Sequence, residues 1–210
     1  DKITTFLLPV QASNHPIYNP SLDYSVYLSQ PFFFVLFQVL ILLITVYAVG
    51  IEIKFRAADE WLFVAKGNMV TAVLGKLLPY TIIFILIGWL ANYVMFGILH
   101  IPFQGSWLLM NMLTALFVVA TQALGLFLFS LFPAISLIIS IVSMVGSLGA
   151  TLSGVTFPVT NMYPLVRDAS YLFPVRHFTE MMQNMLYGGS GFIYLWPSVV
   201  ILCIFPLLAF

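Results

Sequence analysis

Charge is what this sequence has least of. Only 7% of its 210 residues are Asp, Glu, Lys or Arg, against 62% hydrophobic, whereas a soluble domain is about a quarter charged. So few charges cannot cover a globular surface, which excludes an ordinary cytosolic enzyme and a disordered tail. Seven Lys and Arg balance seven Asp and Glu, so no net field draws a nucleic acid. Cysteine is almost missing: Cys203 stands alone in an apolar run, and no internal disulfide is possible. His15, His100 and His177 have no partners at metal-ligand spacing. A phosphate-cradling loop is also missing, because Gly75-Lys76 is followed by Leu77 and Val70 stands where its first glycine belongs. The adjacent acids Asp59 and Glu60 point apart on a helix, so no paired carboxylates offer acid–base chemistry. The chain reads as a polytopic membrane protein, not an enzyme, with no catalytic residue, metal or cofactor of its own.

What is present is length of apolar sequence. Residues 77–166 contain no Lys, Arg, Asp or Glu. At about 20 residues per crossing, that stretch holds three helices, placed at about 77–98, 107–131 and 135–155. Turn signals separate them: His100 to Gly105, then Phe132-Pro133-Ala134. A further crossing is expected at about 32–51, entered at Pro31, and a last one at about 193–210. Nothing alternates with period two, so helices rather than a barrel must span the bilayer. The start at Asp1 and the end at Phe210, inside an apolar run, read as cuts in a longer chain.

Two segments between crossings are polar. Residues 52–76 hold four of the seven Lys and Arg: Lys54, Arg56, Lys66 and Lys76. This bias puts 52–76 in the cytoplasm and 157–191 outside. Within 52–76, Ala58, Trp61, Leu62 and Ala65 share one helix face opposite Asp59, Glu60 and Lys66, so the element is amphipathic and interfacial. Lys66-Gly67-Asn68 breaks it, and a second short helix is expected over Met69 to Lys76. It reads as a connecting loop anchored by Trp61 or as a docking surface for a cytoplasmic partner. Residues 157–191 carry Pro158, Pro164 and Pro174, then a helix from Val175 to Tyr187 stopped at Gly188-Gly189. Val175, Phe178, Met182 and Met185 give that helix one apolar face; it is too short to span and dips into the outer leaflet or caps the bundle. Arg176 and Glu180, at i and i+4, are placed to pair.

The crossings carry no central charge, which argues against a proton relay or ion-coupled carrier. They carry neutral polarity instead: Gln38, Asn92, Gln122, and a stripe of Ser136, Ser140, Ser143, Ser147 and Gly154. Small residues permit close helix packing; the same stripe also suits the weakly polar wall of a substrate path.

Several short motifs, in order, resemble one family. A charged run ends in Glu60-Trp61-Leu62, and Gly75-Lys76-Leu77-Leu78-Pro79-Tyr80 opens the next crossing. Ser153-Gly154, Phe157-Pro158 and Met162-Tyr163-Pro164 follow, then Leu172-Phe173-Pro174, His177-Phe178 and Gly188. From about residue 28 onward the chain resembles the ABC-2 type permease family, the membrane subunits of ABC exporters. The resemblance implies an all-α fold with five transmembrane helices of an expected six. Residues 1–30 would then end an external domain, and 31–210 would form the permease domain. It implies a bacterial inner-membrane location, a second permease subunit as a homo- or heterodimer partner, and a separate ATPase subunit carrying ATP and Mg. Glu52, Lys54, Arg56, Glu60 and Trp61 would couple to that ATPase, with the turn at Phe132-Pro133-Ala134 as a smaller contact. Gln38, Asn92, Gln122, Ser140, Ser143 and Ser147 would line the substrate path, and Tyr163, Arg176 and Glu180 the outer gate. An uncharged path suits an apolar or amphipathic cargo. The competing readings are a passive channel or structural membrane subunit without an ATPase, and, more weakly, an intramembrane enzyme.

Overall fold

The computed structural model describes residues 24–209 except 56, 102, 104 and 189–191. Arg56, residues 1–23 of the expected external domain, and Gly189 therefore lie outside the described residues. Every regular element among the described residues is helical: α1 (Tyr24–Lys54), α2 (Ala58–Val64), α3 (Met69–Asn92), α4 (Trp107–Leu131), α5 (Ile135–Leu152), α6 (Pro164–Ser170), α7 (Pro174–Gln183) and α8 (Phe192–Leu208). Four helical stretches are long and apolar enough to cross a membrane: Leu28–Lys54, Met69–Ile98, Trp107–Leu131 and Ile135–Leu152. Leu195–Leu208, within α8, is a shorter apolar helix. The chain is an all-helical polytopic membrane protein.

Helix boundaries follow local chemistry. Lys66 and Gly67 both take positive φ, 55° and 78°, which ends α2 sharply. Asn68 then caps α3, its side-chain oxygen accepting from Thr71 N at 3.2 Å. The short helix expected over Met69–Lys76 is instead the first two turns of the crossing itself. Pro79 forfeits one backbone bond but does not break a helix already established on both sides. For the same reason α1 begins ahead of Pro31, not at it. α3 ends in a wide π turn, Tyr93–Ile98, and His100, at φ 52°, reverses the chain. Pro133 separates α4 from α5, and a proline begins both α6 and α7, where its missing N–H costs nothing.

α1 and α4 lie at the centre. α1 packs most extensively on α5, and α4 packs on α8, α1 and α3. The α1–α5 approach is set by two glycines. A Cβ on Gly146 would stand 2.8 Å from Val39 Cγ2, and one on Gly149 would stand 2.7 Å from Gln38 Nε2. Only missing side chains allow the helices this close.

α7 is the helix expected to dip into the outer leaflet or cap the bundle. It is inserted among α4, α8, α1 and α5, with Val175, Phe178, Met181 and Met182 all buried. Phe178 anchors it, its ring tilted against Phe34 and Phe117 with centroids 4.5 Å and 4.7 Å away. The buried band is wider than the single face read from spacing, because α7 meets four helices. Ile53, Trp61 and Pro133 line one cleft, so α2 and the turn at 132–134 share one end of the bundle.

Candidate coupling segment, polar path and gate

At the α2 end, Glu52 closes α1 and Lys76 lies in the second turn of α3. Their side chains form an ion pair, and Lys76 Nζ also sits 5.9 Å from the Trp61 ring. Three helices are thus pinned together by one cation. This reorders the candidate coupling residues. Glu52 and Trp61 face Lys76 and are half-buried; Lys54 and Glu60 are exposed. The most exposed apolar side chains on α2 are Phe63 and Val64, 84% and 82% exposed. Sequence reasoning missed both. They follow the apolar face out of phase, and that misphasing was the available signal. Lys76 was missed as a partner because it lies 24 positions from Glu52.

The six path candidates fall into two unlike sets. Gln38, Asn92 and Gln122 are buried and clamp helices to one another. Gln38 Oε1 accepts from Val175 N at 2.8 Å, tying α1 to α7. Asn92 donates to Asn111 Oδ1 at 3.1 Å and to Thr114 Oγ1 at 2.9 Å, tying α3 to α4. Thr81 donates to Gln122 Oε1 at 2.7 Å. In an apolar surround such bonds fix helix register. Ser140, Ser143 and Ser147 instead lie on the exposed face of α5. Their hydroxyls donate back to the carbonyls of Ser136, Ile139 and Met144, which satisfies each without a second helix. Close packing within the chain comes from Gly146 and Gly149 on the other face, so the serine stripe does not serve that purpose here.

At the far end, Arg176 and Glu180 do pair, at 3.3 Å. The pair is not an exposed one, because Arg176 is only 6% exposed. Glu180 also accepts from Ser198 Oγ at 3.1 Å, and the Arg176 guanidinium lies 6.0 Å from the Tyr171 ring. Tyr163 is 74% exposed, and its carbonyl accepts from Arg167 N at 3.0 Å. His177 Nε2 donates to Tyr171 O at 3.0 Å. Burial depresses the His177 pKa, outweighing that hydrogen bond; the ring is neutral. Among the described residues, no cluster of His, Cys, Asp or Glu is placed to hold a metal.

The sequence profile of the ABC-2 family transporter proteins matches residues 2–210. Two curated relatives are the inner membrane transport permease YhhJ of Escherichia coli, 31% identical over 109 residues, and the probable multidrug ABC transporter permease YbhS of the same species, 26% identical over 151 residues. These alignments cover 50% and 70% of this chain but only 28% and 39% of the relatives, so the chain spans well under half the length of the permeases it matches. No solved structure matches. The motif order, the helical bundle and the full-length profile match agree: the chain belongs to the ABC-2 family of transporter proteins.

Proposed function

We propose that this chain is the membrane-spanning permease part of an ATP-driven exporter of the bacterial inner membrane, moving an apolar or amphipathic cargo. ATP and Mg belong to a separate ATPase subunit, which docks on α2 in the cytoplasm, with the turn at Phe132-Pro133-Ala134 beside it. The observation that carries this reading is the outward Phe63-Val64 tip, braced from behind by Glu52, Lys76 and Trp61. A large exposed aromatic on a short helix, held to α3 through Trp61 on Lys76, suits insertion into a partner's groove. A second permease subunit completes the pathway, and the exposed serine face of α5 suits its seam. The absence of any charge in residues 77–166 fits an apolar cargo better than an ionic one.

The test is co-purification of the full-length chain from native membranes in mild detergent. A stoichiometric soluble protein with a nucleotide-binding loop is expected to accompany it. Phe63→Asp should release that protein while the permease stays folded. Burying a phenylalanine is worth about 2–3 kcal/mol, so the loss should be roughly 30- to 150-fold in affinity. Recovery of the permease alone, from membranes where other transporters keep their ATPases, would favour a passive channel.

A further inference from the structure

At the α6–α7 end, among the described residues, lies a cleft of about 470 Å³ that is more polar than the clefts at the α2 end and along α3 and α4. Arg167, Tyr171, Arg176, Glu180, Gln183 and Asn184 line it. Arg176 decides its character. Its side chain is buried, yet the guanidinium has one hydrogen bond, to Glu180 at 3.3 Å, and its Nε has no partner. A guanidinium offers five donors in a fork that matches a phosphate, and burying it so poorly satisfied is costly. Arg167 is the second cation in the lining, its side chain about half exposed and 3.8 Å from Asp168, too far for a hydrogen bond. Large apolar side chains flank the mouth in sequence: Phe157 beside Pro158, Val166 beside Arg167, and Leu172 beside Tyr171, all exposed. A polar pocket holding two arginines and one carboxylate, on a segment that also exposes large apolar side chains, suits an amphiphile head group.

We propose that this cleft binds the phosphate of a zwitterionic amphiphile, with Arg176 and Arg167 on the phosphate and Glu180 on the ammonium. The exposed Phe157, Val166 and Leu172 of the same segment are the apolar surface available to its tails. The site does not depend on an ATPase partner, and its test is separable from that question.

Native mass spectrometry of the full-length chain in mild detergent reads it directly. The probes are phosphatidylethanolamine, phosphatidylglycerol, diacylglycerol and inorganic phosphate. Phosphatidylethanolamine should be retained most strongly and diacylglycerol least. Arg167→Gln, at a half-exposed position where folding is not at risk, should weaken both phospholipids roughly tenfold, the value of one charge-assisted hydrogen bond. Glu180→Gln keeps an oxygen to accept from Ser198, removes the partner of the ammonium and the repulsion of an anionic head group, and should abolish or reverse the preference for phosphatidylethanolamine over phosphatidylglycerol. Equal retention of the three lipids, or retention unchanged by Arg167→Gln, would overturn the proposal. Inorganic phosphate binding as tightly as the lipid would overturn the amphiphile assignment in favour of a free anion.

Discussion

Gly88 offers the sharpest test of how this bundle is packed. It lies in α3, and a Cβ added there would stand 2.5 Å from Thr114 Cγ2 on α4. Thr114 cannot rotate away without loss, because its hydroxyl donates to Met110 O at 2.9 Å and accepts from Asn92 at 2.9 Å. Gly88→Ala should therefore force the helices apart or break those bonds, costing about 1–3 kcal/mol as overpacking. Against this stands a gain of about 1 kcal/mol from replacing glycine inside a helix. The net expectation is a loss of up to about 2 kcal/mol. Thr114→Ser removes the colliding methyl and keeps the hydroxyl with both its bonds. Alone it should cost about 1 kcal/mol for a buried methyl group. With Thr114→Ser in place, Gly88→Ala should become neutral or stabilising, so the same substitution changes sign with the residue across the interface. Reversible unfolding in mixed micelles of the four members of the cycle measures the coupling, expected at about 1–3 kcal/mol. Additivity within about 0.5 kcal/mol would refute the reasoning, since it would mean that α3 and α4 do not meet at Gly88 and Thr114.

Two further outcomes follow from the ends of the bundle. Since burial lowers the folded pKa of His177, the unfolded chain takes up that proton first. Stability present above the ordinary histidine value, about 6.5, should fall as pH drops through it, and level off below the folded value. Thermal unfolding followed from about pH 8 to about pH 5 should show this slope, and His177→Gln, which keeps a donor for Tyr171 O, should flatten it. At the other end, Lys76→Met should destabilise by about 1–2 kcal/mol because it strands the Glu52 carboxylate. Adding Glu52→Gln should restore most of the loss, and a double variant as unstable as the single one would show that Lys76 acts chiefly through Trp61.

Four long apolar helices were legible because a membrane writes its demand in composition; the fifth expected crossing is a shorter apolar helix. An uncharged run such as 77–166 has little choice but helices, and Lys66-Gly67 and Pro133 stop them where left-handed or proline chemistry requires. Which face of a crossing meets protein and which meets lipid was not legible, because both are apolar. Asn92 and Ser143 look alike in sequence as isolated polar residues within apolar runs. One is buried in a two-helix clamp; the other is exposed and bonded to its own backbone. Small residues mislead in the same way: α5 carries serines on its outer face and Gly146 and Gly149 on its inner one, and only the glycines bring α1 close. Polarity marks a helix's tolerance for polar neighbours, not which neighbour it has.

Arg176 is where that ambiguity matters most. An i, i+4 pair of Arg and Glu on a short helix outside the crossings reads as a solvated face, worth a few tenths of a kcal/mol. The insertion of α7 among four other helices makes it a different object. Among the described residues Arg176 is the only Lys, Arg, Asp or Glu that is buried. In a chain this poor in charge, an apolar residue of similar length would fill the same volume at no desolvation cost, and such replacements of buried ion pairs are often neutral or stabilising. Stability alone therefore gives no reason for an arginine there. A ligand for its guanidinium gives one, and the polar cleft that Arg176 lines with Arg167 and Glu180 is where that ligand has room to sit.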